Sequence, residues 1–320
     1  MKLTVDCALN NNLLALPADS ALARLISKAN IRQIDVPLEA VVCSQHGLAA
    51  NPDYPIAAIA AYADGLLVDD AYWLRADPVH LMLQRDSFSL SEPVPLEVAR
   101  EHAELIIASL NQHFEQDGMT FCIGNSGTWY VRLKQKPEIQ TTLPSVAMDR
   151  NVYQFMPQGA AASTWVSYLN EMQMLLHDHP VNIQRESKHQ AAINSVWLSG
   201  GGFMPQPLPS ENDIDLFVAS SPLYHGLAQW TGLVIQPAEQ PLSKILQYID
   251  AQLHARLELP GQHLSDDANF HGLWQALNAR KVEQLTLNLG CYEKTLVATI
   301  RSVDTYKFWR KSKPVAIYLK

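Results

Sequence analysis

Apolar and polar residues alternate or recur along this chain in a way that predicts strands and helices in turn. Leu3 to Cys7 is a short apolar run that predicts a strand, and Asp19 or Ser20 then caps a helix carrying Leu22, Leu25 and Ile26 on one face. An alanine-rich run from Ile56 to Ala63 predicts a second helix, stopped at Asp64-Gly65, where glycine accepts the left-handed conformation of a helix end. From Tyr72 to about Pro157 the order becomes strand, helix, strand, strand. The strands are expected at Val79 to Leu83, Thr120 to Ile123 and Trp129 to Leu133, the helix at Leu96 to Phe114, and Gly124-Asn125-Ser126-Gly127 forms a hairpin turn. That order suits a small α+β unit.

The clearest helical stripe runs from Ser163 to Asp178, with Trp165, Tyr168, Leu169, Met172, Leu175 and Leu176 on one side and Pro180 as the stop. A polar loop follows, then Val196-Trp197-Leu198, the triple Gly200-Gly201-Gly202 and a strand at Ile214 to Ala219. Ser221-Pro222 reads as N-cap and first helical residue of a helix closed by Gly232. Val234-Ile235 predicts a strand, Leu242 to Leu257 a helix and Asp267 to Arg280 another, and Gln284 to Leu289 pairs with Thr295 to Arg301 as a final antiparallel edge. Strands alternating with helices predict an α/β fold, a mostly parallel sheet with helices on both faces.

At 320 residues the chain is long enough for two unequal lobes. Hydrophobic residues make up 48% and charged residues 18%, which provides the apolar surface an ordered core requires. The formal charge of −8 leaves only one basic cluster, Lys307, Arg310, Lys311 and Lys313, and this argues against a nucleic-acid partner. Cys7, Cys43, Cys122 and Cys291 form no CxxC pair and read as buried thiols of a reducing compartment. Without a signal-peptide pattern or 18 successive apolar residues, the chain is expected in the cytoplasm with no membrane partner.

Candidate chemistry concentrates between residues 169 and 202. His179-Pro180-Val181-Asn182, Arg185, Asn194 and Trp197-Leu198-Ser199-Gly200-Gly201-Gly202 occur in the order found in archaeal-type cofactor-independent phosphoglycerate mutases, and the chain resembles that family here and again at SSPLYHGLAQWTG. Trp73 to Leu81, Asn170 to Gly202 and FWRKSKPV also resemble a group of bacterial RpfE-like regulatory proteins. The resemblance implies an alkaline-phosphatase-like core over residues 1–65 and 160–320, interrupted by a smaller inserted α+β domain over 66–159.

It also implies a chemistry whose parts are incomplete in this chain. The family uses two divalent metals, manganese or zinc, and a serine that takes the phosphoryl group. Asp6 falls where the first ligand belongs, but Cys7 replaces the following glycine, and the stretch Asn51 to Pro55 contains no serine at the nucleophile's place. LPGQHLSDDANFHG offers His263, Asp266, Asp267 and His271 without the family's spacing. A catalytically degenerate protein with no cofactor is therefore one reading, and an active phosphotransferase using Asp6, Asp53, His263 or Asp267 on two cations is another.

The binding residues expected on the first reading are Arg185, Asn182, Asn194 and His179, with Gly200 and Gly201 as the floor of a pocket at the carboxyl edge of the sheet and Arg75 and His80 beside it. Such a set would hold a small phosphorylated metabolite. Each member also has a bland role: loop stapling for the amides and Arg185, backbone packing for the glycines, an ion pair to Asp77 for Arg75, and a helix terminus for His179. A third reading is a protein-interaction module, with Phe308 and Trp309 in the C-terminal segment docking on a second copy or a partner, so that homo-oligomerisation stays open.

Overall fold

A computed structural model describes residues 1–84, 87–90, 93–206, 213–238, 242–250, 252–259 and 267–319. In chain order the first elements are β1 (Lys2–Ala8), α1 (Asn11–Leu14), α2 (Ala21–Lys28), β2 (Asn30–Ile34) and α3 (Leu38–Gln45). Next come α4 (Ile56–Ala63), β3 (Tyr72–Val79), β4 (Leu81–Leu83), β5 (Phe88–Leu90), α5 (Arg100–His113), β6 (Met119–Ile123), β7 (Trp129–Leu133), α6 (Pro144–Ala147), α7 (Ala162–His177), α8 (Pro180–Ser187) and β8 (Ser195–Gly202). The chain ends with β9 (Leu216–Val218), α9 (Pro222–Thr231), β10 (Val234–Gln236), α10 (Leu242–Tyr248), β11 (His254–Leu259), α11 (Ala268–Asn278), β12 (Gln284–Cys291) and β13 (Lys294–Arg301). No helix among the described residues is long and apolar enough to cross a membrane.

Two units result: Met1–Gly47 with Leu208–Lys320, and Leu48–Pro207. The inserted unit is thus as long as the one it interrupts, and its boundaries lie outside the expected 66–159. The reason is β8. This strand was expected to lead to a pocket of the main sheet, but it pairs antiparallel with β3, and α4 and α7 pack against it.

The first unit holds a seven-stranded sheet ordered β10-β9-β11-β1-β12-β13-β2. From β10 to β12 the strands are parallel, and β13 and β2 run antiparallel, so the expected mostly parallel α/β sheet is the one observed. Side chains alternate across the sheet. Leu3, Val5 and Cys7 of β1, Ala255, Leu257 and Leu259 of β11, and Leu285, Leu287 and Leu289 of β12 face one apolar core with residues of α2, α10 and α11. Ser20 caps α2 by accepting from the Ala23 N–H at 3.2 Å, and Gly232 ends α9 at φ 72°.

Two expected elements differ. The helix expected over 242–257 stops at Tyr248, and its last residues belong to the central strand β11, because Ala255, Leu257 and Leu259 alternate into the core between β1 and β9. The expected final edge also gains a neighbour, since β2 pairs beyond β13.

The inserted unit holds a four-stranded sheet, β6-β7-β3-β8, and a β4-β5 hairpin. Its main apolar core lies between that sheet and α5, α7 and α8. Gly200, Gly201 and Gly202 lie within β8, and a Cβ on Gly202 would stand 2.5 Å from that of Pro55 at the start of α4. The glycine run therefore lets a helix approach a strand, and it floors no pocket at the edge of a parallel sheet.

Candidate functional site

The polar face of the first sheet collects the charged residues that the apolar face excludes. Thr4 stands opposite Arg256, and Asp6 opposite Glu258 on one side and Asn288 on the other. Asp6 and Arg256 are each only 1% exposed. The Asp6 carboxylate accepts four hydrogen bonds: Oδ2 from Arg256 Nε at 2.5 Å and the Tyr224 hydroxyl at 2.8 Å, and Oδ1 from Arg256 Nη2 at 3.0 Å and Asn288 Nδ2 at 2.6 Å. The guanidinium grips both oxygens, the bidentate geometry that suits a buried pair. Its Nη1 lies 3.3 Å from His46 Nε2, just after α3, and the His46 ring packs on Phe217 of β9 at 5.3 Å.

This network sets its own protonation states. Burial works against the Arg256 charge, but the Asp6 carboxylate outweighs it and holds the guanidinium more firmly protonated than usual. Burial, then the Asp6 charge, pushes the Tyr224 hydroxyl well up, so it stays a donor. Burial and the Arg256 charge pull His46 down to about 4, leaving it a neutral ring able to accept from Arg256. One strand supplies a second charge: Glu258 Oε2 accepts from the Ser220 and Ser221 N–H groups at 3.1 and 3.0 Å, beside the start of α9. Burial pushes Glu258 up, opposed by those donors. Burial and the neighbouring Asp6 push the Cys7 thiol up to about 12, and it is inert.

The two divalent cations that the family resemblance implies do not fit these residues. Both oxygens of Asp6 hold donors, and one donor is itself a fixed cation. A metal there would stand against the guanidinium, and the neighbouring carboxylate, Glu258, is already engaged by the Ser220 and Ser221 N–H groups. Among the described residues no group of three His, Cys, Asp or Glu side chains converges to hold a metal ion. The substitutes expected for a rearranged site are also engaged: Asp53 Oδ2 accepts from the Thr141 N–H at 3.0 Å, and Asp267 accepts from Ala21 and Leu22 N–H at 2.6 and 3.0 Å, in the first turn of α2. His263 and Asp266 lie outside the described residues.

The expected anion-binding set is in the inserted unit, on a helix where a loop was expected. Pro180 stops α7 but begins α8, with His179 as N-cap, its Nδ1 accepting from the Val181 N–H at 3.3 Å and its Nε2 3.1 Å from the Ser109 hydroxyl. Asn182 donates to the Leu176 and Ile193 carbonyls at 2.7 and 2.8 Å and accepts from the Ile193 N–H at 2.8 Å. Arg185 donates to the carbonyls of Ala191 at 2.8 Å and Glu97 at 3.2 Å. Asn194 exchanges two bonds with the Leu81 backbone at 2.7 and 2.9 Å, His80 Nδ1 is 2.7 Å from the Ala192 carbonyl, and Arg75 pairs with the fully buried Asp77 at 2.7 Å. The structure directs the polar atoms of Asn182, Arg185, Asn194 and His80 to the backbone, and pairs Arg75 with Asp77 and His179 Nε2 with Ser109, satisfying groups that would otherwise be buried alone.

Arg256, Tyr224, Asn288 and His46 carry the charged centre and were absent from the expected site. The alternation Ala255, Arg256, Leu257, Glu258, Leu259 is the signal that identifies the strand, and with it the side that Arg256 must face. In the C-terminal segment, Phe308 and Trp309 are 87% and 66% exposed and meet edge to face at 5.2 Å. Lys28 fixes their backbone by donating to the Lys307 and Arg310 carbonyls at 2.7 and 2.6 Å.

Breaking a buried pair strands the remaining charge. Asp6→Asn and Arg256→Met are each expected to cost roughly 3–5 kcal/mol, and the double variant less than the sum, in a urea-unfolding double-mutant cycle; additive costs would contradict the coupling. The lowered His46 value adds a pH dependence. Because the unfolded ring binds a proton near 6.5 and the folded one near 4, stability is fully present above 6.5 and falls as pH drops through that window, by about 3 kcal/mol. Urea unfolding at pH 7 and pH 4 is expected to show a smaller acid loss for His46→Gln by that amount, and equal losses would contradict it.

No protein-family model matches the chain. Over 114 residues, 35% of this chain and 29% of the relative, it is 23% identical to the 2,3-bisphosphoglycerate-independent phosphoglycerate mutase of Methanosarcina barkeri. It is 22% identical over 111 residues, 34% of this chain and 28% of the relative, to the enzyme of the same description from Methanosarcina mazei. The matched stretch thus spans less than a third of these curated relatives. Among solved structures, a cofactor-independent phosphoglycerate mutase of Thermoplasma acidophilum aligns over 99% of this chain and 94% of its own, with 14% identity and a TM-score of 0.45. A protein of Pyrococcus horikoshii aligns over 99% and 92%, with 12% identity and a TM-score of 0.50. The chain has the α/β fold of the latter and is distantly similar in sequence to cofactor-independent phosphoglycerate mutases.

Proposed function

We propose that this chain is a catalytically silent relative of the cofactor-independent phosphoglycerate mutases, acting by binding, in a regulatory role, where those enzymes act by phosphoryl transfer. The observation that carries this reading is the Asp6–Arg256 pair: the carboxylate at the place of the first metal ligand is saturated by a guanidinium, a tyrosine hydroxyl and an amide. Phosphoryl transfer in the manner of the family asks that place for a divalent cation, which neutralises the phosphate and activates the nucleophile. A guanidinium held on Asp6 and closed off from solvent can do neither. The missing serine between Asn51 and Pro55 points the same way.

A regulatory role agrees with the likeness to the RpfE-like proteins. The expected phosphorylated ligand is less well supported, because Arg185 and Arg75, the charged members of its binding set, bond to backbone carbonyls and to Asp77. A second reading, contact with another copy of the chain, rests on the exposed and braced pair Phe308 and Trp309, since aromatic side chains on a fixed backbone suit an interface.

Purified protein supplied with manganese or zinc is expected to leave 3-phosphoglycerate and p-nitrophenyl phosphate unchanged beyond a protein-free blank. Metal-dependent turnover of either would overturn the first reading and favour an active, rearranged site. For the second, sedimentation velocity is expected to show an oligomer that Phe308→Ser with Trp309→Ser dissociates; a monomeric parent chain would end it.

A further inference from the structure

The inserted unit contains a cavity of about 450 Å³ between β8, α7 and the turn at Val152–Phe155. Its volume lies within the roughly 300–1,000 Å³ of small-molecule sites. Phe88, Tyr153, Phe155 and Trp197 give it an aromatic lining. The Trp197 N–H donates to the Thr142 carbonyl at 2.8 Å, so the indole's own donor is already taken.

Three polar groups interrupt the apolar wall: the Ser195 hydroxyl on β8 and the Asn170 and Gln173 amides, one turn apart on α7. Ser195 is buried at 4% exposure, Gln173 is half-buried and Asn170 is exposed. A few polar groups on an otherwise apolar wall orient a ligand by hydrogen bonds while its apolar part fills the cavity. Among the described residues the wall contains no Lys, Arg, His, Asp or Glu. A phosphate or carboxylate entering it would lose its hydration and meet no countercharge.

We propose that this cavity binds an uncharged aromatic ring compound, whose hydroxyl or amide group meets Ser195, Asn170 and Gln173 while its ring stacks among Phe88, Phe155 and Trp197. The ligand class is the opposite of a phosphorylated metabolite. The site lies in the unit that does not contain Asp6 and Arg256, and it stands whether or not the chain proves silent.

Calorimetric titration of the full chain with a matched pair of probes, 1-naphthol and 1-naphthyl phosphate, tests the assignment. Saturable one-site binding of 1-naphthol is expected, with 1-naphthyl phosphate at least tenfold weaker. Val166→Trp, which fills the cavity from α7, is expected to abolish binding. Ser195→Ala is expected to weaken 1-naphthol several-fold and to leave naphthalene unchanged, and it decides the matter should the bulkier variant not fold. Absent 1-naphthol binding at its solubility limit, equal affinity for the phosphate, or unchanged affinity in both variants would overturn the proposal.

Discussion

A carboxylate and a guanidinium, both sealed from water in the middle of a sheet, impose the strongest constraint on the first unit. Taking each charge out of water costs several kcal/mol, and their attraction offsets this only with good geometry and further hydrogen bonds. Asp6 meets both conditions through the two-point contact with Arg256 and the added donors of Tyr224 and Asn288. The network reaches β1, β11, β12, α9 and the end of α3. A shift of β11 by one residue would turn Arg256 toward the apolar core, so the pair also fixes the strand's register.

The same pair links fold to function. A bound metal can leave or exchange its ligands, whereas a guanidinium is part of the chain and cannot accept an attacking oxygen. On the proposed reading, Arg256 on Asp6 puts a fixed pair where the resembled family holds a metal. Glu258, two residues along β11, supplies a carboxylate to the backbone at the start of α9, where an anion is favoured. Positive and negative charges of this face are therefore both internal. The inserted unit follows another scheme: its buried amides and Arg185 bond backbone groups, and a wide cavity beside β8 has a largely apolar and aromatic lining.

Much of the fold was legible because its signals are local. The Ser20 cap, the Ser221-Pro222 opening and Gly232 closure of α9, the stripe of α7 and the turn between β6 and β7 each depend on a few neighbouring residues. β11 was not, since Leu253, Leu257 and Ile249 satisfy a helical period as readily as Ala255, Leu257 and Leu259 satisfy a strand's, and only the neighbours β1 and β9 decide between them. Pro180 stops one helix and starts the next, and stop and start look alike in sequence. Asp6 was legible by its place near the end of the first strand, where the resembled family has its first metal ligand. Its partner stands 250 residues later, on the strand that was read as helix, so the charge that grips Asp6 could not be paired with it.

The most direct measurement of the central claim is a crystal grown in manganese, with anomalous diffraction collected at the manganese edge. The account predicts guanidinium density on both oxygens of Asp6 and no anomalous peak beside it. A manganese ion coordinated by Asp6, with Arg256 displaced, would contradict it.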